Sequence, residues 1–235
     1  GGLGHNPFNP AMVGYALLLV SFPTYMTLWA PPQELLPNGL WAQIAGTLPT
    51  AQLDSLSGAT PLDAFKHKGE AVLASEFWAT NPLPVGTLSA WRWIALAWLA
   101  GGVLLLAKRI ISWHIPVAML GSVLLLATLF YLSDPSHFAS PLFYLLTGAT
   151  LFGAFFIATD PVSAATSRRG KLIYGAGIGA LVVIIRTFGG YPDAVAFAVL
   201  LMNLCVPLLD LYSVPRPTGQ PKAAPGTPRE PGERP

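Results

Sequence analysis

A polar segment around residue 60 contains the side chains whose types and spacing are best suited to chemistry. Thr60 is followed at once by Pro61, and Asp63 lies three residues after Thr60. This order predicts the start of a short helix, with Thr60 as the N-cap and Pro61 in the first turn. The free N–H groups at a helix start also stabilise a phosphate. A phosphate ester on the Thr60 oxygen would keep acceptor oxygens at the capping position, so the two interpretations are compatible.

The residues before Thr60 leave room for such an ester. Ser57, Gly58 and Ala59 are small enough to let a bulky group approach the Thr60 oxygen. Asp54 lies three residues before Ser57 and gives the segment an acidic group that a modifying enzyme could recognise. These five residues together form a candidate attachment site for a phosphorylated group.

A second copy of the four-residue pattern provides an internal comparison. Thr147-Gly-Ala-Thr150 has the same order of small and hydroxyl residues, but Tyr144 stands where the first copy has Asp54. The second copy also lies inside an apolar run, whereas the first lies in a polar loop. We therefore expect Thr150 to be a small packing residue or an interhelical hydrogen-bonding residue.

The composition indicates which elements must position this segment. Hydrophobic residues make up 53% of the 235 residues and charged residues only 10%, whereas a soluble domain has about 25% charged residues. Apolar runs recur at lengths that match a hydrocarbon core about 30 Å thick. We predict an all-α, polytopic membrane protein with about six transmembrane helices, at residues 11–29, 90–107, 113–132, 141–159, 172–186 and 194–211.

The positions of Lys and Arg predict the orientation of these helices. Nine basic residues follow the second, fourth and sixth spans, and positively charged segments remain in the cytoplasm. Residues 1–29 then form a broken-helix segment with the first span, and residues 30–89 form an extracytoplasmic loop that carries Thr60. Residues 90–212 form a five-span bundle, and the proline-rich residues 213–235 form a disordered cytoplasmic tail.

The charge and cysteine counts exclude several classes of function. Thirteen basic against eleven acidic residues give a net charge of +2, which is too small to bind a nucleic-acid backbone. Cys205 is the only cysteine, whereas an iron–sulfur cluster needs about four thiolates. We expect Cys205 to be a buried small hydrophobe. The four histidines lack the spacing of metal ligands, so we expect no metal site.

Three segments resemble a known family. Residues 54–60, Asp-x-x-Ser-Gly-Ala-Thr, resemble the flavinylation motif at which a dedicated transferase esterifies FMN onto threonine. Residues 1–11 and 155–164 resemble the corresponding segments of the D subunit (RnfD) of the Rnf ion-translocating electron-transport complex. The resemblance extends to about residue 212 and implies that this chain is the C-terminal part of a longer protein. The related B subunit of the Na⁺-translocating NADH:quinone reductase shares two of these segments.

The resemblance implies a function as well as a fold. Members of the family are similar to urea transporters, with a helical bundle that contains broken helices. Thr60 would carry FMN as a phosphoester and relay electrons, with no catalytic residue and no complete active site in this chain. The complex transfers electrons between ferredoxin and NAD and moves Na⁺ or H⁺ across the membrane. The implied partners are the A, B, C, E and G subunits, the flavin transferase and the lipid bilayer. The implied location is the bacterial inner membrane, with the flavin loop in the periplasm.

An internal repeat supports the expectation of broken helices. Residues 6–11, Asn-Pro-Phe-Asn-Pro-Ala, echo residues 160–164, Asp-Pro-Val-Ser-Ala, and both interrupt apolar runs. Such interruptions in corresponding positions indicate broken helices that line a cavity. Alternatively, the prolines simply mark the ends of spans, because proline cannot continue a helix from the preceding turn.

Polar and small residues within the spans have simpler expected roles. Asn203 is near the middle of the last span and is expected to face the bundle interior. Arg186 and Asp210 are at span ends, where we expect them to reach the interface or to cap a helix. The fifth span also has three glycines that are expected to let helices approach closely: Gly175, Gly177 and Gly179.

Other functions remain open at this point. One alternative is the B subunit of the Na⁺-translocating NADH:quinone reductase. Another is a channel or permease on the urea-transporter-like scaffold, without a redox role, and a third is a structural membrane anchor. The permease would explain the spans and the broken helices. It would not explain why Asp54 and Thr60 occur together in an exposed loop.

Overall fold

The described part of the molecule is helical throughout. A computed structural model describes residues 7–27, 29, 60–69, 72–80, 87–191 and 193–213. Within these ranges the predicted all-α class is confirmed. The helices are α1 (Pro10–Ser21), α2 (Pro23–Thr27), α3 (Pro61–Lys66), α4 (Ala74–Thr80), α5 (Thr87–Ala107), α6 (His114–Ser133), α7 (Pro141–Leu146), α8 (Thr150–Phe152, which continues as a π-helical turn over Gly153–Ile157), α9 (Arg168–Phe188) and α10 (Val195–Ser213).

Four of these helices, α5, α6, α9 and α10, are long and apolar enough to cross a membrane. Their outer faces expose large apolar side chains, such as Leu104, Leu125 and Leu208. Lipid solvates such faces, whereas apolar patches of this extent are rare on soluble monomers. Cys205 is exposed on α10, next to the exposed Leu204. The prediction that Cys205 is buried is therefore wrong, because it lies on the outer face of its helix.

The other two predicted spans are interrupted within their length, at positions that differ from the breaks expected at residues 6–11 and 160–164. In residues 11–29, α1 ends at Ser21 and α2 begins at Pro23, because a proline clashes with the preceding helical turn. In residues 141–159, α7 ends at Leu146 and α8 begins at Thr150. Between them Gly148 has a φ of +62°, which a residue without a Cβ adopts readily.

The helix that corresponds to the fifth predicted span, residues 172–186, extends beyond the apolar run at both ends. Helix α9 starts at Arg168, where the Ser167 hydroxyl accepts a hydrogen bond from the Gly170 N–H at 2.8 Å. This N-cap satisfies a free donor of the first turn and extends the helix into polar sequence. The hydropathy pattern misses this turn because its residues, including Lys171, are not apolar.

Helix α9 is the central element of the bundle and packs against α6 and α10. A Cβ at Gly175 would lie 2.6 Å from the Ile115 carbonyl oxygen, and one at Gly179 would lie even closer to the Met119 carbonyl oxygen. Neither position has space for a side chain, so the glycines let the α6 and α9 backbones meet. The predicted packing role is confirmed.

A small aromatic core attaches the Thr60 region to the bundle. Phe65 of α3 stacks on Trp78 of α4, with ring centroids 5.6 Å apart, and also contacts Phe143 of α7 at 5.4 Å. Phe77 packs edge-on against Phe65 at 5.3 Å. Such aromatic pairs add about 0.5–1.5 kcal/mol each beyond their buried area. This core fixes α3, and therefore Thr60, against the membrane helices.

The sequence also predicts two short helices at the membrane surface within the loop, at residues 38–48 and 69–79, and their outcomes differ. The one expected at residues 69–79 corresponds to α4, which begins later, at Ala74. The one expected at residues 38–48 lies outside the described residues.

Candidate functional site

Thr60 is the N-cap of α3, as the sequence predicts. Its hydroxyl oxygen accepts a hydrogen bond from the Asp63 N–H at 3.1 Å, with Pro61 in the first turn. The Asp63 carboxylate contacts Nδ1 of His67 at 3.0 Å. The other four residues of the candidate attachment site, Asp54, Ser57, Gly58 and Ala59, lie outside the described residues.

A cavity of about 360 Å³ opens beside Thr60, and we refer to it as the Thr60 cavity. Its volume lies in the range of about 300–1,000 Å³ that is typical of ligand pockets. Thr60 and Asp63 line it from α3, and Gly148 and Ala149 line it from the break between α7 and α8. Five aromatic side chains complete much of the wall: Tyr15, Trp29, Trp91, Trp98 and Phe152. Aromatic walls of this kind suit a flat, largely apolar ring system.

A carboxylate provides the polar part of the same wall. The Asp193 Oδ2 atom accepts a hydrogen bond from the Tyr15 hydroxyl at 2.8 Å. The Oδ1 atom of Asp193 is buried, and no described residue donates to it. A buried acceptor without a donor is unfavourable. Asp193 gives the lining of the cavity a carboxylate group.

The structure contradicts the prediction that Arg186 reaches the membrane–water interface. Only 3% of this residue is exposed. Its Nη1 atom donates to the Tyr144 carbonyl oxygen at 3.0 Å and to the Thr150 hydroxyl at 2.7 Å. The prediction is wrong because α9 continues to Phe188, and Arg186 points inward from its last turn. The break at Gly148 leaves the Tyr144 carbonyl oxygen to accept from side chains, those of Thr150 and Arg186.

Thr150 and the second copy of the motif have the expected structural role. The Thr150 side chain is fully buried, and its hydroxyl donates to the Tyr144 carbonyl oxygen at 2.7 Å. It also accepts from Arg186 and so links α8 to α9. The prediction of an interhelical hydrogen-bonding residue is confirmed. A hydroxyl in this position is not accessible to a modifying enzyme.

Lys66 joins α3 to the end of α9. Its ammonium group donates to three carbonyl oxygens, those of Ile185 at 3.2 Å, Arg186 at 2.9 Å and Tyr191 at 3.2 Å. Partial burial lowers the Lys66 pKa below its ordinary value, and the nearby Arg186 charge lowers it further, against the opposing effect of Asp63. These bonds place the Thr60 region above the C-terminal end of α9.

The two copies of the internal repeat line a second cavity, of about 460 Å³. Asn9 and Pro10 line it at the start of α1, and Asp160 and Pro161 line it after the π-helical turn. The Asn9 side chain caps α1 by accepting from the N–H groups of its first turn. The first copy begins α1 and the second follows the end of the π-helical turn, and both copies line this cavity.

Asn203 connects these two segments in the bundle interior. It is 1% exposed. With its amide oriented to satisfy its neighbours, it accepts from the Asn9 N–H at 2.9 Å and donates to the Ser163 carbonyl oxygen at 3.3 Å and to the Tyr174 hydroxyl at 2.7 Å. The prediction that Asn203 faces the interior is confirmed. The Asp210 carboxylate, in contrast, accepts a hydrogen bond from the Thr166 N–H at 2.9 Å and so binds the loop before α9.

The two cavities lie towards opposite ends of α5. Trp91, near the start of this helix, and Trp98, near its middle, line the Thr60 cavity, whereas Leu105, near its end, lines the second one. Lys108 and Arg109 directly follow the last residue of α5. The Thr60 cavity is therefore at the end of the bundle away from these basic residues.

Comparisons with known proteins agree with the motifs. Residues 1–219 match the NQR2, RnfD, RnfE family. A protein of Alcanivorax borkumensis is named as the D subunit of an ion-translocating oxidoreductase complex, and this chain is 52% identical to it over 233 residues. The match covers 97% of this chain and 67% of the relative. Proteins of the same name from Escherichia coli O17:K52:H18 and Vibrio vulnificus are 51% and 47% identical, over 94% and 93% of this chain and 68% of each relative.

Proposed function

The chain belongs to the NQR2, RnfD, RnfE family, and on this premise we propose that it is a subunit of an ion-translocating oxidoreductase complex that carries FMN covalently on Thr60. The name shared by the relatives supports the first part of the proposal. One observation carries the second part. The Thr60 hydroxyl and a set of aromatic side chains line the same cavity.

The residues of the Thr60 cavity fit a flavin. The ring system of a flavin is flat and largely apolar, with polar atoms and one ring N–H at one end. Trp98 and Phe152 provide apolar surface, with their ring centroids 4.5 Å apart. Asp193 provides a carboxylate in the same lining that can accept the ring N–H. A mostly apolar pocket with a few polar groups that fix orientation is typical of cofactor sites.

Attachment at Thr60 is chemically consistent with this geometry. The Thr60 oxygen would form a bond to phosphorus and lose its proton, while the flavin dinucleotide that serves as donor would lose its other nucleotide as the phosphoanhydride bond breaks. The Asp63 N–H, which now donates to the Thr60 oxygen, would then face phosphate oxygens. Asp54, Ser57, Gly58 and Ala59 would form the segment that the flavin transferase recognises.

The protein contributes position and environment to the chemistry. FMN, when bound, accepts and donates electrons one at a time, and that chemistry belongs to the cofactor. A covalent bond to Thr60 prevents the carrier from diffusing away between turnovers. The aromatic wall excludes water from the ring, and the anchoring of α3 on the bundle fixes the distance to the next electron carrier.

Other subunits of the complex would supply the iron–sulfur clusters and the nucleotide sites. The family resemblance implies that these are the A, B, C, E and G subunits. Electrons would pass between ferredoxin and NAD while Na⁺ or H⁺ crosses the bacterial inner membrane. We place Thr60 on the periplasmic side. This placement is supported by the position of its cavity, at the end of α5 away from Lys108 and Arg109, because basic residues favour the cytoplasm.

A channel or permease without a redox role is the second candidate. It is favoured by the 460 Å³ cavity that both interrupted segments line, since broken helices at a cavity are typical of transporters. It gives no role to Thr60. The B subunit of the Na⁺-translocating NADH:quinone reductase is less favoured, because the relatives described above are named as the D subunit of an ion-translocating oxidoreductase complex.

Covalent flavin can be detected directly. The full-length protein is expressed with its flavin transferase, denatured and separated on a gel under ultraviolet light. We expect a fluorescent band that disappears in Thr60→Val. Thr150→Val is the matched control, because it is the same substitution in the second copy of the motif, and its band should persist. A wild-type band without fluorescence, or fluorescence that survives Thr60→Val, would contradict the proposal and favour the permease.

A further inference from the structure

Arg186 is the feature of the bundle that the proposed function leaves unexplained. It is 3% exposed, and its Nε and Nη2 atoms have no hydrogen-bond partner among the described residues. No carboxylate of the described residues forms an ion pair with it. Burial of a cation without a compensating charge is costly. Such a residue is retained where its charge acts on something else.

The free end of Arg186 is directed at Gly148. A Cβ built on Gly148 would lie 2.7 Å from the Arg186 Nη2 atom. Gly148 is exposed and lines the Thr60 cavity. The guanidinium group therefore lies directly behind the wall of this cavity, and the wall at that point is a backbone segment without a side chain.

The break between α7 and α8 creates this close approach. Gly148 has a φ of +62°, and a side chain there would displace either the guanidinium group or Leu62, whose Cδ2 atom lies 3.1 Å from the Cβ position. On the far side, the Arg186 Nη1 atom is held by Tyr144 and Thr150. The cation is thus fixed in place before any ligand binds.

Three other charged side chains of the described residues lie near Arg186 or line the Thr60 cavity. The Lys66 ammonium group is bonded to the Arg186 carbonyl oxygen at 2.9 Å. Asp193, which lines the cavity, is the acidic side chain whose charge acts on Arg186. Asp63, whose charge acts on Lys66, also lines the cavity, so two cations and two carboxylates balance, and Arg186 is distinguished by being held against Gly148. Because the surroundings are apolar, the Arg186 charge is weakly screened.

We propose that Arg186, acting through the Gly148 wall, stabilises the reduced, negatively charged form of the flavin in the Thr60 cavity and so raises its reduction potential. Each electron that enters the ring adds one negative charge until a proton follows. A fixed cation nearby stabilises that charge without having to reorganise. Arg186 forms no bond and transfers no proton, and the electron comes from an external donor. This inference rests on the proposed function.

Potentiometry of the flavin tests the inference. The full-length protein, loaded by its transferase and placed in lipid nanodiscs, is titrated with dithionite while flavin absorbance is recorded. Arg186→Gln should favour the oxidised form at least tenfold, which for one electron is a fall of about 59 mV. Arg186→Lys keeps the charge and should restore most of the potential. Thr150→Val removes a hydrogen bond of Arg186 but not its charge, and it should leave the potential unchanged.

The same samples separate this inference from the proposed function. A fluorescent denatured band shows that FMN is attached, whatever its potential. If Arg186→Gln is loaded but its flavin potential falls by less than about 59 mV, the role of the Arg186 charge is refuted while attachment stands. The same conclusion follows if Thr150→Val lowers the potential as much as Arg186→Gln does. A wild-type band without fluorescence overturns both.

A second variant covers the case in which Arg186→Gln does not fold. Gly148→Ala introduces a Cβ that must displace the guanidinium group from the wall, and the flavin potential should fall. An unchanged potential in loaded Gly148→Ala would refute the inference.

Discussion

The ammonium nitrogen of Lys66 lies 2.9 Å from the carbonyl oxygen of Arg186, so a residue of the polar loop caps the end of the membrane helix that holds the buried cation. The same ammonium group also binds the carbonyl oxygens of Ile185 and Tyr191. The last carbonyl groups of a helix lack helical partners, and Lys66 supplies their donors. The loop with Thr60 and the wall with Arg186 are therefore held in one arrangement.

Lys66→Met should destabilise the protein by about 1.5–3 kcal/mol, the usual contribution of a hydrogen bond to a charged group. The methionine has a similar length but takes the ammonium donor from three carbonyl oxygens, of which that of Ile185 keeps the Gly189 N–H. The measurement is the thermal unfolding midpoint of the full-length protein in detergent. Lys108→Met is the matched control, because Lys108 is exposed. Equal midpoints in the two variants would show that the Lys66 cap contributes nothing.

Asp54→Ala should reduce flavin loading and leave membrane insertion unchanged. Asp54 is the acidic residue that distinguishes residues 54–60 from the second copy, where Tyr144 stands at the same place. The measurement is in-gel flavin fluorescence per amount of protein in the membrane fraction. Asp134→Ala provides the same substitution in another loop and should load normally. Normal loading of Asp54→Ala would restrict recognition to the Ser-Gly-Ala-Thr core.

Hydropathy and local motifs were sufficient to predict one class of features. The four continuous spans, the N-cap at Thr60, the close packing at Gly175 and the interior position of Asn203 all depend on helix period, capping chemistry or residue size. Each of these can be evaluated from residues that are near one another in the sequence. The two observed breaks were not predicted in this way, because the sequence predicts interruptions at residues 6–11 and 160–164, whereas α1 ends before Pro23 and α7 ends before Gly148.

The position of Arg186 could not be predicted in this way. Hydropathy indicates how deep a residue lies along a helix, but not the direction in which it points around the helix axis. The contact between Arg186 and Gly148 depends on how α9 packs against the break between α7 and α8, which are distant in sequence. The aromatic wall has the same origin, since it joins Tyr15, Trp98 and Phe152, which are distant in sequence.

Asn203→Leu should destabilise the bundle more than Tyr174→Phe does. Asn203 connects the N–H of Asn9 with the carbonyl oxygen of Ser163, and leucine would leave both buried backbone groups unsatisfied, at about 1–3 kcal/mol each. Tyr174→Phe removes only one hydroxyl from the same network. Thermal unfolding midpoints of the two variants provide the measurement. A larger loss in Tyr174→Phe would mean that the two interrupted segments are not held together through Asn203.

Gly179→Ala and Gly121→Ala should have opposite effects on stability, although both replace a glycine within a membrane-spanning helix. In a helix interior, alanine is intrinsically favoured over glycine by about 0.5–1 kcal/mol. A Cβ at Gly121 meets nothing within 4 Å, whereas one at Gly179 would clash with the Met119 carbonyl oxygen. Gly121→Ala should therefore leave the unfolding midpoint unchanged or raise it.

Gly179→Ala should lower the midpoint, because the contact is with backbone and overpacking of this kind costs about 1–3 kcal/mol. The helices α6 and α9 would have to separate, which also enlarges the gap near Ser122, whose Cβ lies 3.0 Å from the same position. If both variants were equally stable, the approach of α6 and α9 at Gly179 would be looser than the structure indicates. Helix α9 would then be a poor support for the cation at its end.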